Sequence, residues 1–348
     1  MRDFLVSVLF ITYNHEAYIR KALDSVLSQE TDFPFEIVVG EDCSTDGTRD
    51  ILRQYKEKYP DKFRLLFRKK NFGRPTRNVY ETWKACKGKY VAFLEGDDYW
   101  CDVHKLQKQI DFLENNPYIG VTHSCKLVGK NGERVDYKAG ASLYEWSGEF
   151  TFEDYKYSGK WPGQTATVVC HNLFLNPKYD YSILYKAHDF LDDGVILLFL
   201  LIQGKVYRMD QVMSAWRFIQ KEGEGNWNSL KLRRNAMVED CYTKQKLLKW
   251  CEKNVGLSEY GRELAKKDFV TALSVFLKKP TKKHWKFVKD MYSYNIKNLV
   301  QKGRKTSFFF YCIKTLGKEG WKLLSKLLTG RFSKGELRTT GTKAREKS

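Results

Sequence analysis

The chain has 348 residues, of which 42% are hydrophobic and 15% aromatic, enough apolar side chain for a sizeable core and too much for a disordered polypeptide. Its net charge of +19 is unevenly placed: residues 231–348 hold 30 Lys and Arg against 10 Asp and Glu, whereas residues 1–230 sum to −1. A neutral body with a basic last third points to a polyanionic partner, either nucleic acid or an acidic membrane surface.

The first 115 residues alternate between two periodicities. VSVLFITYN (6–14) is apolar and β-branched, and EAYIRKALDSVLSQ (16–29) carries Ile19, Leu23, Val26 and Leu27 at helical spacing. FEIVVGED (35–42) is a second strand, and TRDILRQYKEKY (48–59) an amphipathic helix with Asp46 as its N-cap. FRLLFRK (63–69), RPTRNVYETWKACKG (74–88, with Pro75 in its first turn) and YVAFLEG (90–96) continue the alternation. A βαβαβαβ order predicts a mainly parallel sheet with helices on both faces and right-handed crossovers.

Beyond residue 118 the pattern changes. GVTHSCKLV followed by KNGER predicts a hairpin turning at Asn131-Gly132. TATVVCHNLFL (165–175) is strand-like, Leu191 to Gln203 helical, and KVYRMDQVMSAWRF (205–218) holds one or two strands. From about 230 the chain is helical and basic, starting with KLRRNAMVEDCYTKQKLLKWCEKN (231–254). The longest apolar run, VILLFLLI (195–202), is far short of the roughly 20 residues that a spanning helix needs. The run Phe4 to Ile11 reads as a strand and not as a signal peptide. Eight cysteines without CxxC spacing predict free thiols in a reducing cytosol.

In a parallel sheet, ligands sit beyond the carboxyl ends of the strands. Here those ends read Thr12-Tyr13-Asn14, Glu41-Asp42 and Glu95-Gly96-Asp97-Asp98. Clustered carboxylates repel unless a cation or proton intervenes. Mg²⁺ or Mn²⁺, bound through one or two carboxylates plus substrate phosphates, suits such an edge. The competing reading is that Asp97 or Asp98 caps a helix starting near Val103.

The stretches VSVLFITYNHEAYIRKALDSVLSQ, FEIVVGEDCSTDGT, NFGRPTRN, KGKYVAFLEGDDYW followed by KLQKQIDFLE, and LDDGVILLFLLIQGKVYRMDQVMSAWR lie in that order between residues 4 and 217. In this the chain resembles a family 2 glycosyltransferase of the GT-A fold. The resemblance implies an α/β architecture, a Rossmann-like mixed sheet flanked by helices over 1–228; the pattern and composition beyond it predict a basic helical region over 229–334 and a disordered tail over 335–348. It implies that Thr12, Asn14 and Glu16 line a nucleotide pocket, that Asp42 holds the base, and that Asn71, Arg77 and Asn78 lie beside it. Glu95 and Asp97 stand for the first and last acids of the family's D-x-D motif, with Glu in place of the commoner Asp. Asp97 and Asp98 are the candidate ligands of Mg²⁺ or Mn²⁺, Asp98 directly or from the outer shell. Asp193, 11 residues before Gly204-Lys205, is the implied catalytic base, with Asp192 and Asp189 as fallbacks. Without the resemblance, Asp192 and Asp193 read as a helix cap. Arg217 matches an arginine that contacts the diphosphate.

The implied reaction is an inverting transfer from a nucleotide sugar, UDP-linked by the family's habit, to a hydroxyl of a glycan or lipid-linked acceptor. Tyr99, Trp100, Tyr144 and Trp161 are candidates for stacking on sugar, and the six histidines read as structural or surface residues. IKTLGKEGWKLLSKLLT (313–329) gathers Leu323, Leu324, Leu327 and Leu328 on one arc and Lys322, Ser325, Lys326 and Thr329 on the other. That pattern predicts an interfacial helix on the anionic inner face of the cell membrane, each Lys there adding about 1 kcal/mol. No nucleic-acid motif is present, so nucleic acid is not expected as a partner. The runner-up function is a non-catalytic membrane- or polyanion-binding protein retaining the fold. A dehydrogenase is disfavoured, because TYNHEAY and not G-x-G-x-x-G follows the first strand.

Overall fold

The computed structural model describes residues 4–135, 147–158, 162–187, 193–219, 236–256, 262–278 and 281–295. The chain forms two compact units, Met1–Arg234 and Asn235–Ser348. The first is built on one mixed sheet. Its first half holds β1 (Val6–Thr12), β2 (Phe35–Glu41), β3 (Phe63–Phe67) and β4 (Tyr90–Glu95), parallel and ordered β3-β2-β1-β4. β1, β2 and β4 are buried along most of their length, which is why they read as unbroken apolar runs and not as alternating patterns, whereas β3 at the sheet edge is buried only at Phe63.

The second half adds β5 (Tyr99–Trp100), β6 (Gly120–Val128), β7 (Gly148–Phe150), β8 (Val169–His171) and β9 (Val206–Arg217). β8 runs antiparallel to both β4 and β6, and β9 lies parallel to β6 with β5 and β7 antiparallel against it. The sheet is therefore mixed, as the resemblance implied.

Helices cover this sheet through single apolar faces. α1 (Ile19–Leu27) buries Ile19, Ala22, Leu23 and Val26, and α2 (Thr48–Lys58) buries Ile51 and Leu52. α3 (Pro75–Trp83) starts on its proline, whose missing N–H costs nothing there. It packs so close to β2 that a Cβ on Gly40 would collide with Thr82 and Asn78. α4 (Lys105–Asn115) follows β5, and α5 (Phe152–Ser158) and α6 (Ile183–Ala187) are short. α7 (Asp193–Leu201) buries every side chain from Val195 to Leu201, as expected of a helix apolar on all faces.

One strand expectation is adjusted. The stretch 165–175 is a strand only at Val169–His171, because a 3-10 turn (Thr165–Thr167) takes its beginning. Residues 205–218 form a single strand, irregular where Thr122 pairs with Arg208 but Ser124 with Val212. The Asn131-Gly132 turn is made, with Gly132 at φ 88° and a single bridge from Val128 to Arg134. The N-cap of α2 is Gly47 and not Asp46 as expected, although Asp46 Oδ1 accepts from the Thr48 N–H at 3.0 Å just before the helix.

In the second unit α8 (Ala236–Val255), α9 (Arg262–Lys278) and α10 (Lys282–Asn295) share a core of Val238, Phe269, Leu273, Phe287, Val288 and Met291. No described helix is long and apolar enough to cross a membrane. The amphipathic segment 313–329 and the tail 335–348 lie outside the described residues.

Candidate active site

Strand register assembles the candidate site. Thr12 pairs with Glu41 across β1 and β2, and Ile11 pairs with Glu95 across β1 and β4. The residues just past β1, β2 and β4 are thus delivered to one edge of the sheet, and all three tips are polar or acidic.

The loop after β1 is fastened to the loop after β2. Asn14 N–H donates to Ser44 Oγ at 2.9 Å, and Asn14 Oδ1 accepts from Thr45 N–H at 2.8 Å. His15 N–H donates to Thr48 Oγ1 at 2.9 Å, and Glu16 Oε2 accepts from Gly47 N–H at 2.9 Å. These bonds hold Asn14 at φ 53° and Cys43 at φ 63°, left-handed conformations that cost a residue with a Cβ about 1 kcal/mol or more. Asn14 and Glu16 therefore use their side chains to fasten the two loops together.

Adjacent acids at the tip of β2 divide their work. Glu41 is wholly buried and accepts from Arg49 Nε and from the N–H groups of Cys43 and Ser44. Asp42 accepts the Phe72 N–H at 3.0 Å on Oδ1, and its carbonyl accepts from Asn71 Nδ2 at 2.9 Å. Burial pushes the Asp42 carboxyl up to about 6, with the Glu41 charge adding to the rise and the Phe72 bond and the Arg68 charge opposing it. Phe72 lies between two guanidiniums, Arg77 at 4.7 Å and Arg68 at 5.3 Å from its ring centre. Asn78 is 2% exposed, donates to Gly40 O at 2.7 Å and accepts from Arg68 at 3.1 Å. Its side chain secures α3 to β2, whereas Asn71 and Arg77 stay exposed beside Asp42.

The tip of β4 repeats the division. Asp98 is 2% exposed, its Oδ1 accepting from Arg217 N–H at 2.7 Å and its Oδ2 from Gln164 Nε2 at 2.9 Å. Burial above all, then the neighbouring Asp97 charge, pushes its carboxyl well above the usual range. Gln164 also donates to Glu95 Oε2 at 3.2 Å. Asp97, on the other side of the turn, is partly exposed and lies 3.9 Å from His15 Nε2. Between them Gly96 is obligatory, because a Cβ would come within 2.7 Å of both His15 Nδ1 and Thr12 Oγ1. Those two atoms are buried and have no hydrogen-bond partner among the described residues.

An outward carboxylate, a buried hydroxyl lacking a partner and a glycine-floored turn fit a hard divalent cation. Its remaining ligands would come from a substrate diphosphate. Among the described residues, no three His, Cys, Asp or Glu converge into a closed cage.

Arg217, expected at a diphosphate, is differently engaged. Its Nε donates to Asp97 O at 2.8 Å and its Nη1 to Gly129 O and Lys130 O at 2.6 and 2.7 Å, while Tyr18 lies 4.2 Å beneath its guanidinium. Backbone carbonyls thus take up those donors, and the arginine braces the acidic turn from behind. Trp100 is likewise not a sugar platform: it is 4% exposed, donates to Ala166 O at 3.1 Å and carries Lys105 Nζ at 4.2 Å over its ring. Tyr99 is 8% exposed and faces Lys21. Asp193 opens α7. Asp189, Asp192, Tyr144 and Trp161 lie outside the described residues.

Two residues that sequence reasoning does not single out belong to the site. His15 is one histidine among six, although its place in TYNHE after the first strand is a usable signal. Gln164 sits in a loop, WPGQTAT, with no periodicity to mark it.

This arrangement is an acidic edge on a mixed Rossmann-like sheet. The chain matches the domain described as Glycosyl transferase family 2 over residues 7–184 and belongs to that family. It is 42% identical over 230 residues to the putative teichuronic acid biosynthesis glycosyltransferase TuaG of Bacillus subtilis, covering 65% of this chain and 84% of TuaG. An uncharacterized protein of Mycobacterium bovis is 39% identical over 130 residues, so the chain spans 37% of that relative's length. The crystal structure of S. aureus TarS 1-349 in complex with UDP-GlcNAc superposes with a TM-score of 0.50 at 18% identity, covering 94% of this chain and 92% of that one, a likeness of fold.

Proposed function

We propose that the protein transfers a sugar, with inversion, from a UDP-sugar to a hydroxyl of a glycan or lipid-linked acceptor in bacterial cell-surface polysaccharide synthesis. The observation that carries this reading is the shared edge of the β1, β2 and β4 tips, where Asp42 and Asp97 flank Thr12. The teichuronic acid role of TuaG and the UDP-GlcNAc complex of TarS favour this donor and product class.

In this reading Asp42 accepts from the base, with Asn71 and Arg77 beside it. Asp97 would hold Mg²⁺ or Mn²⁺ together with the donor diphosphate, while Glu95 and Asp98 orient the Asp97 turn from behind. When bound, the cation neutralises the charge that develops on the leaving diphosphate. Asp193, at the start of α7, takes the proton from the acceptor hydroxyl as that oxygen attacks the anomeric carbon from the face opposite the leaving group. The positive end of the α7 dipole lowers a carboxylate's basicity, an effect offset once phosphate charge arrives.

The catalytic domain is taken as 1–228 and the basic helical region as 229–334. The latter's surplus of positive charge holds the enzyme to the cytoplasmic face of the membrane. A donor panel screened by thermal shift with Mn²⁺, followed by transfer assays of wild type, Asp97→Ala and Asp193→Asn, tests the proposal. Stabilisation by one UDP-sugar and turnover lost in both variants is the expected outcome. Equal inertness of all three proteins across every donor would favour a non-catalytic binder instead. Co-sedimentation with anionic liposomes should fall when the chain is cut near residue 300, and unchanged binding removes the membrane role from 313–329.

A further inference from the structure

If Asp97 is the acid that meets the cation, as proposed above, something must make it the outward one. Three consecutive residues, Gly96-Asp97-Asp98, turn tightly after Glu95, and nothing in their own sequence decides which acid faces the cleft. The deciding donors come from elsewhere. Gln164, 6% exposed, has its amide oxygen fixed by the Ala166 N–H at 2.8 Å. That bond assigns the amide's orientation, so its nitrogen must face the acids, 2.9 Å from Asp98 Oδ2 and 3.2 Å from Glu95 Oε2. Gln164 in turn is anchored through its carbonyl, which accepts from Thr167 N–H at 2.8 Å and Thr167 Oγ1 at 2.6 Å. The remaining Asp98 oxygen is met by Arg217 N–H, and the Arg217 side chain grips Asp97 O.

We propose that Gln164 is a positioning residue: its amide clasps Asp98 and Glu95 together, and by holding Asp98 inward leaves Asp97 as the acid presented to the donor diphosphate and its cation. The two acids also meet each other directly, and an amide suits the third position. A side chain there must accept from one backbone N–H while donating to two carboxyl groups, and Gln supplies both functions where Glu would bring a third charge and Met neither. The clasp also joins the turn to the 162–167 segment, which leads into β8, so a shift in that segment is felt at Asp97.

The test compares wild type with Gln164→Met and Gln164→Glu, the latter keeping the acceptor for Ala166. Three quantities are read: deuterium uptake of the peptide containing Arg217, affinity for UDP without metal, and Mn²⁺ affinity in the presence of UDP by electron paramagnetic resonance. The expected result is about tenfold faster exchange at Arg217 and at least tenfold weaker Mn²⁺ binding in both variants. Metal-free UDP affinity should stay within threefold of wild type, a split that general unfolding would not give. Wild-type exchange at Arg217 in both variants overturns the clasp. So does wild-type Mn²⁺ affinity in both, where wild type binds Mn²⁺. If wild type binds UDP but no Mn²⁺, the metal reading of Asp97 fails, and the exchange rate alone decides the clasp. Should Gln164→Met not fold, Gln164→Glu decides on the same readouts.

Discussion

The tips of β2 and β4 solve one problem in two ways. Each carries neighbouring acids, and each turns one of them into the protein. At β2 the inward acid is Glu41, held by a charged partner, Arg49, and by two N–H groups from the adjoining turn. At β4 the inward acid is Asp98, met by the Gln164 amide, the Arg217 N–H and the neighbouring Glu95 carboxyl rather than by a charged partner like Arg49. The first arrangement is local and compensated in charge. The second is assembled from distant segments and leaves its carboxyl with a raised affinity for protons. A charge-paired tip is a rigid wall, suited to a planar base, whereas an uncompensated acidic tip is poised for a cation.

The largest effect should separate the outward acid from the inward one at β4. Asp97→Ala is expected to lower transfer by roughly a thousandfold, the scale of losing the charge that neutralises a leaving diphosphate. Its thermal midpoint should stay near wild type, because the Asp97 carboxylate is partly exposed and 3.9 Å from His15 Nε2, while the Arg217 bond is to its backbone carbonyl. Loss of stability with retained turnover would reverse the assignment of the two acids.

The inward acids should behave in the opposite way. Glu41→Ala strands Arg49 and two N–H groups, and Asp98→Ala strands the Gln164 amide and the Arg217 N–H. Each should cost about 2–4 kcal/mol in urea denaturation, with Glu41→Ala the costlier because a charge is left unpaired. Asp98→Ala gives back some desolvation of its own carboxyl.

The strand positions and the acids themselves are legible in the sequence. A parallel strand buried on both faces is an apolar run that stops abruptly, and FLEGDD stops on acids. The sorting of those acids is not legible, because the donors that sort them lie 66 and 119 residues away. Arg217 shows the same limit: nothing near it in sequence tells that Gly129 O and Lys130 O lie against its Nη1. At 165–175, strand propensity continues through Thr165–Thr167, but the Gln164 side chain caps a 3-10 turn there and delays β8. Local interaction overrides β-branched preference.

Acid titration sharpens the contrast further. Burial, then the nearby Lys105 charge, holds His123 well below its usual range, so the unfolded chain takes up a proton near pH 6.5 that the native protein refuses. That contribution to stability is present above pH 6.5 and lost as pH falls. Asp98 acts with the opposite sign: its native carboxyl holds a proton that the unfolded one releases above about 3.8, so its contribution falls as pH rises. The two oppose each other in the same window. Wild type should therefore lose up to about 2 kcal/mol relative to His123→Gln between pH 7 and 5, measured by urea denaturation at each pH.

The smallest expected effect concerns β2. With Asp42 titrating at about 6, its ionised form is the one that accepts from a base, and UDP affinity should weaken about tenfold per pH unit below 6. Calorimetric titration checks this. Asp42→Asn should bind weakly and show no such slope, and a slope retained in that variant would place the titrating group elsewhere.

At the centre of this reading, the β2 and β4 tips jointly hold a nucleotide diphosphate and its cation, with Asp42 on the base and Asp97 on the metal. A crystal structure of the protein with UDP and Mn²⁺ tests this most directly. The predicted result is Mn²⁺ within bonding distance of an Asp97 oxygen, the base against Asp42, and Asp98 still bonded to Arg217 N–H. Mn²⁺ on Asp98 with its clasp broken, or UDP bound away from Asp42, would contradict it.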